Sequence, residues 1–425
     1  MKKLIFAIPI LTMHLYATDI TELFNSLKNQ PTTKIDKLSS KSASLMQKKI
    51  TSTYYPTFDM FASYTHYNSL TGLKPIDPLA TAERLSKKKP LPFSKDITNI
   101  GLKISMPIFI KELSSLSEKA NYLSKNAKIK KKINFLQNEA IIVGANSSLE
   151  YFHNLLIALT TTKKSLQKTK QDIAISVNSG KMAGIALDKI DVKLNEIEIS
   201  INNIEIQKNN LISQIKSLTN ITLEKYVPMY LEKNIETDNI LLLKPLQNNI
   251  KATFSDIQAS KEKRYYPKVA FNTMYKKSYA PDNVQDNRNL KEDYGYYQIA
   301  LSMPIYDKSK DIDIQLKEID LLKNQSKLEK TKQELDTQIK FLKQELLLLK
   351  KSQKLKKTNI SKEEQLLKYA KISFDEGRMT QEDYMKYEDD VVKAKSEYFQ
   401  TQAQIWQSIS KLAVIYGNDL TEIIK

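Results

Sequence analysis

The chain contains two copies of one unit, and that constrains its fold more than any other feature. Tyr54-Tyr55-Pro56 returns as Tyr265-Tyr266-Pro267, and Ser105-Met106-Pro107-Ile108-Phe109 returns as Ser302-Met303-Pro304-Ile305-Tyr306. Gly180-Lys181-Met182 returns as Gly377-Arg378-Met379. The last two pairs share a spacing of 197 residues (107 to 304, and 180 to 377), so no net insertion separates the halves there. The first pair is 211 residues apart, which leaves the first half 14 extra residues between its Tyr-Tyr-Pro and its Ser-Met-Pro. An internal repeat of this kind makes each half one structural unit, whatever its fold.

Each unit opens with two strand-like stretches. Phe58, Met60, Ala62 and Tyr64 alternate with Thr57, Asp59, Ser63 and Thr65, with Phe61 as the exception. A second stretch sets Ile100, Leu102, Ile104, Met106 and Ile108 against Asn99, Gly101, Lys103 and Ser105. The second unit repeats this loosely with Val269, Phe271, Thr273 and Tyr275, then cleanly with Tyr297, Ile299, Leu301, Met303 and Ile305. Period-two alternation over ~10 residues suits a transmembrane β-strand with its apolar side outward and its polar side to a lumen. A soluble antiparallel sheet with one wet face alternates in the same way. Tyrosines at the strand ends (Tyr54, Tyr55, Tyr67, Tyr265, Tyr266, Tyr279, Tyr294, Tyr296) resemble the aromatic girdles of a membrane barrel and favour that reading. The connections, 69–95 and 277–293, carry Gly, Pro, Asn and Asp and read as exposed polar loops.

Long helices follow the strands. No Pro occurs between Pro107 and Pro228 or after Pro304. Ile314, Leu321, Leu328, Leu335, Leu342 and Leu349 recur every seven residues, with Ile339 and Leu346 between them, which is a coiled-coil seam. Ile133, Leu136, Ala140 and Val143, then Leu149, Phe152, Leu156 and Leu159, give the first unit a similar seam. A helix from about Lys111 to Val177 is ~100 Å long at 1.5 Å per residue. Gly180 and Gly184 end one arm of the first hairpin and Gly377 one arm of the second, since glycine relieves the backbone where a helix reverses. The return arm, Ile185 to Thr219, is only half as long. Helical segments at 20–52 and 240–264 are expected to complete the return arms by stacking end to end with them.

Residues 1–17 have a basic start, a short apolar run through Leu4-Ile5-Phe6-Ala7-Ile8 and a small residue at Ala17, the pattern of a signal peptide. The repeats then span 18–218 and 246–425, with 219–245 as a linker containing Pro228 and Pro245. No later run suits a membrane helix, so a membrane-inserted form must be a closed β-barrel. The formal charge is +18, almost all of it lysine dispersed among acids, which suits solvated helix faces better than a nucleic-acid site. Cysteine is absent, and with it any disulfide framework. His66 and His153 share no motif, and neither a His-Glu-x-x-His pattern nor a phosphate loop occurs, so no catalytic residue, metal or cofactor is expected.

Four strands cannot close a membrane barrel, whose smallest forms have about eight, so the chain must oligomerise. The doubled order of helix, Tyr-Tyr-Pro strand, Ser-Met-Pro strand and Gly-tipped coiled coil resembles the TolC-like outer-membrane efflux proteins over about residues 18–425. The resemblance implies an α+β membrane protein: a homotrimer with a twelve-stranded barrel in outer-membrane lipid and a helical periplasmic tunnel. It also implies a periplasmic adaptor (membrane fusion) protein and an inner-membrane pump as partners in efflux or type I secretion. The tips Gly180, Lys181, Met182, Gly377, Arg378 and Met379 match the family's adaptor-docking turns, although helix reversal alone accounts for the glycines. Asp383, six residues past Gly377, matches the family's acidic pore constriction, and Lys386 stands where another acid is usual. The first half has Ala186 and Lys189 at the corresponding places, so the ring is weakened by lysine. Two other readings remain: an exported structural coiled-coil protein, which leaves the doubled strands unexplained, and a soluble periplasmic adaptor, which would have one hairpin between small β-domains.

Overall fold

The computed structural model describes residues 19–282 and 289–425. The expected signal peptide, 1–17, lies outside them. The described chain runs α1 (Ile20–Leu27), α2 (Pro31–Ser52), β1 (Thr57–Gly72), α3 (Pro78–Ser86), β2 (Phe93–Ile110), α4 (Glu112–Asn178) and α5 (Ile185–Thr219). The second half gives α6 (Lys244–Tyr265), β3 (Lys268–Pro281), β4 (Asn289–Ser302), α7 (Lys308–Asp375), α8 (Gln381–Tyr416) and a last short turn, α9 (Leu420–Ile423). Helices α4 and α7 have 67 and 68 residues, each about 100 Å of continuous helix. The chain divides into two compact units, one of residues 40–127 with 246–328 and one of the rest.

The first of these units holds one antiparallel sheet in the order β1-β2-β3-β4. Its register puts the expected apolar residues on a common face: Met60 opposite Leu102, Leu102 opposite Tyr275, Met106 opposite Phe271, and Phe271 opposite Ile299. Met60 is 76% exposed, Tyr297 84% and Ile299 69%, so this face is bare in the single chain. The other face is polar and hydrogen-bonded: Ser105 donates to Asn272 (2.8 Å), and Lys276 and Ser278 both donate to Asn99 (3.2 and 2.7 Å). Phe61, the exception on this face, lies opposite Gly101, where a bare Cα leaves room for the ring.

Three expectations fail here, one of them the 277–293 loop, since β3 runs on to Pro281 and β4 begins at Asn289, while 283–288 lie outside the described residues. Met303 and Ile305 lie beyond β4, which stops at Ser302 because Pro304 has no N–H for the ladder; in the first repeat a register shift after Pro107 lets β2 run on to Ile110. The 69–95 connection is also not a plain exposed loop. It contains α3, capped by Asp77 accepting from the Ala80 N–H (2.6 Å), and Leu73 in it is fully buried. Helix α6 packs in this unit between the starts of α4 and α7, where Asp256 meets both Lys119 (2.9 Å) and Lys317 (3.1 Å).

The other unit contains the main apolar core. Ile20, Leu23, Phe24 and Leu27 of α1 pack with Ile142, Val143 and Leu149 of α4, Ile215 of α5, and Ile405, Trp406, Ile409 and Ala413 of α8. Full burial of a side chain such as Phe24 contributes about 2–3 kcal/mol. The stacking of short helices appears at both return arms. The Thr219 carbonyl at the end of α5 accepts from Gln30, just before α2, and from the Ser26 hydroxyl. Gly417 at the end of α8 touches Leu241, in the turn that leads into α6. The linker is tied down rather than free: Asn146 exchanges two hydrogen bonds with Val227 (2.6 and 2.8 Å), and Tyr230 pairs with Lys425.

On α7 the seam residues Ile314, Leu335, Ile339 and Leu342 are buried, as the seven-residue spacing requires. Helix α5 shows a second pattern that the sequence analysis missed. Ile190, Ile197 and Ile204 are buried, whereas Ile185, Val192, Ile199 and Ile206 form a parallel stripe 59–65% exposed.

Candidate functional site: the hairpin tips

Both helical hairpins reverse through the same backbone device. In the first, the N–H of Gly180 donates to Val177 and that of Lys181 reaches back to Ser176 (2.8 Å). In the second, Gly377 donates to Phe374 and Arg378 to Ser373 (2.8 Å). This is the left-handed glycine cap of a helix, with φ +69° at Gly180 and +74° at Gly377. A Cβ on either would meet nothing, so φ alone selects glycine. Lys181 is exposed and Met182 is 38% exposed; Arg378 projects beside Glu376 (3.3 Å), and Met379 is half-buried.

The return helices α5 and α8 run side by side from these tips. Gln381 donates to the Ala186 carbonyl (3.2 Å), Lys189 pairs with Glu382 (3.2 Å), and Lys193 pairs with Asp389 (2.7 Å). Asp383 occupies the first turn of α8. Its N–H donates to the hydroxyl of the cap residue Thr380, and its carboxylate accepts from that hydroxyl (2.6 Å) and from Lys386 (3.4 Å). These partners hold its carboxyl below the usual carboxylate range, the Thr380 hydrogen bond first. Asp383 and Lys386 are both exposed and are brought together as an ion pair, so two candidates singled out for a pore share one site.

The buried side of the same helix was not evident from the sequence. Tyr384 and Glu388 lie behind the exposed Asp383–Lys386 face, in an open cleft between α4, α7 and α8. The Tyr384 hydroxyl donates to Glu388 Oε1 (2.7 Å) and lies 3.2 Å from the Ser165 hydroxyl, while its ring stacks on Phe374. Burial pushes the Glu388 carboxyl up, with Ser165, Tyr384 and Lys371 opposing. A second buried acid, Glu139, accepts from the Leu420 N–H (3.2 Å) and the Thr421 hydroxyl (2.7 Å). Burial, then the charge of Asp419, raises its pKa to about 8. The available sequence signal was position: Glu139 sits between Leu136 and Val143 in an apolar seam.

Among the described residues no group of three or more His, Cys, Asp or Glu side chains could hold a metal ion, and no helix is long and apolar enough to cross a membrane. No protein-family model and no curated protein sequence matches the chain. Solved structures do. A membrane protein from Pseudomonas aeruginosa superposes with a TM-score of 0.79 at 13% identity, over 95% of this chain and 91% of that one. The CmeC outer membrane channel of Campylobacter jejuni gives 0.73 at 14% identity, over 94% and 84%. The open state of the Neisseria gonorrhoeae MtrE outer membrane channel gives 0.75 at 13%, over 94% and 89%.

The chain has the fold of solved outer-membrane channels.

Proposed function

We propose that this protein is the outer-membrane channel subunit of a tripartite efflux or type I secretion system, a passive duct for small molecules or secreted protein. The observation that carries this is the sheet. Four strands leave β1 and β4 each with one open edge, one face is apolar and uncovered, and the opposite face is polar. An even strand number lets β4 of one copy pair antiparallel with β1 of the next, so a closed ring places the apolar face in lipid and the polar face around water. Three copies give twelve strands, the smallest ring after the eight of a dimer. The exposed stripe Ile185–Val192–Ile199–Ile206 is a helix seam with no partner among the described residues, as expected of a subunit whose neighbour is another copy.

In this reading residues 18–218 and 246–425 are the two repeats, joined by 219–245, and the hairpins form the periplasmic tunnel. The tips at Gly180–Met182 and Gly377–Met379 face the adaptor, beyond which stands the inner-membrane pump. Three copies of Asp383 form a cation-attracting ring whose field Lys386 reduces. A soluble adaptor or a coiled-coil filament would not need a bare apolar sheet face.

Native mass of the detergent-extracted protein from purified outer membranes tests the proposal. Three chains, lost on denaturation, support it. A monomer under mild extraction, or recovery only in the soluble fraction, overturns it.

A further inference from the structure

The connection between β1 and β2 does not stand away from the sheet but lies across it. Leu73, just past the end of β1, is fully buried against Ile97, Ala280 and Leu290. Ala280 and Leu290 are register partners in β3 and β4, Ile97 pairs with Thr65 in β1, and all three share the alternation of Asn99 and Ser278, so they lie on the polar face. The Leu73 carbonyl accepts from the Ser278 hydroxyl (3.2 Å) on that face. Farther along, Arg84 of α3 grips Glu292 of β4 with two nitrogens (2.6 and 3.1 Å), and Lys74 reaches the same carboxylate (2.6 Å). Glu292 is the register partner of Ser278, hence also on the polar face. The segment therefore crosses from the edge strand β1 to the opposite edge strand, about 14 Å at 4.8 Å per strand.

Helix α3 is mounted with its polar side inward. Ala80, Thr81 and Arg84 are half-buried, with Arg84 reaching the sheet, whereas Leu79 is 81% and Leu85 59% exposed. A connection that served only to join two strands would need neither this helix nor a carboxylate clamped by two cations.

From these contacts we infer that residues 73–92 form a constriction across the mouth of the duct, held by the Glu292 clamp, which limits the size of what passes. The inference rests on the channel reading, because only there is the polar face a lumen. Each copy contributes one α3, so a ring of copies narrows the opening and limits the passage of large solutes while small hydrated ones still cross.

The test exploits a chain without cysteine. Gln298→Cys puts a thiol on the polar face, six residues along β4 from Glu292, and exposed. Intact cells producing the full chain are treated from outside with a small charged maleimide and with one carried on a large polyethylene glycol. The small reagent is expected to label, and the large one to label at least about tenfold more slowly, a difference set by pore width. Glu292→Gln, or a Gly-Ser linker in place of residues 76–89, should abolish the difference. Equal labelling by both reagents before the clamp is changed, or a size difference that survives both changes, overturns the constriction and leaves the channel standing. No labelling by either reagent in any variant overturns the water-filled lumen, and the channel reading with it.

Discussion

The two helical hairpins share a backbone plan but differ in what their side chains hold. Gly180 and Gly377 make the same turn, and at the far ends of the return helices Asn220 and Gly417 occupy the same left-handed cap, again 197 residues apart. Side chains depart from this symmetry. Helix α8 begins with Thr380 capping Asp383, whereas α5 begins at Gly184 with no side-chain cap. Buried Tyr384 and Glu388 correspond to Leu187 and Asp191, and Asp191 is a half-exposed partner of Lys170. Buried Glu139 corresponds to half-buried Asp336. Duplication thus preserves what the backbone requires locally, and divergence occurs where each copy meets different neighbours.

Substitutions at paired positions can break that account, and the largest effect belongs at the caps. Gly417→Ala should cost about 3 kcal/mol, since a left-handed φ and a Cβ only 2.7 Å from Leu241 both oppose it. Asn220→Gly should change stability by less than about 0.5 kcal/mol, because glycine accepts the same conformation. Urea midpoints of the detergent-solubilised protein would show this, and equal losses would remove the asymmetry.

Next comes the buried acid. Glu139 stays protonated in the folded chain up to about pH 8 but loses its proton near the ordinary glutamate value of 4.5 once unfolded. The folded state then binds the extra proton between those values, so stability falls as pH rises through that window, by at most about 1.4 kcal/mol per pH unit. Glu139→Gln imitates the protonated form and should flatten the slope, while Asp336→Asn should not; unfolding midpoints from pH 5 to 8 decide.

A smaller effect is expected at the start of α8. Thr380→Ala should cost about 1 kcal/mol and speed hydrogen exchange in the first turn of α8 while leaving α5 unchanged. Smallest of all, Asp191→Asn removes an exposed ion pair with Lys170 and should shift the midpoint by less than about 0.5 kcal/mol. A loss as large as that of Thr380→Ala would mean the first hairpin depends on its surface charges as the second does on its cap.

Periodicity was legible in the strands, along α7 and at the tips, although the seven-residue stripes of α5 went unread. Alternation gave the faces of β1 to β4, heptads gave the buried seam of α7, and repeated glycines marked both tips. Asp383 and Lys386 were singled out only through the resemblance, which fixed on their place after Gly377, but their ion pair with each other, and the cap that Thr380 supplies, needed coordinates. Glu139 and Glu388 looked like any other acid on a lysine-rich helix, because a carboxylate is buried or solvated according to what packs beside it. The β1–β2 connection was misjudged for a related reason. Its Gly, Pro and Lys residues state that the chain turns, not which face of a sheet it turns onto.

The sequence by itself determined two copies of a strand pair and a long helical hairpin, since hydrogen-bonded periodicity and a left-handed turn depend on a residue and its near neighbours. Tertiary structure alone decided that Leu73 and Arg84 lie over the polar face, that two carboxylates are buried, and that one isoleucine stripe of α5 is covered while its twin is bare. Those outcomes depend on residues brought together from distant parts of the chain, and burial, unlike periodicity, belongs to the assembled neighbourhood.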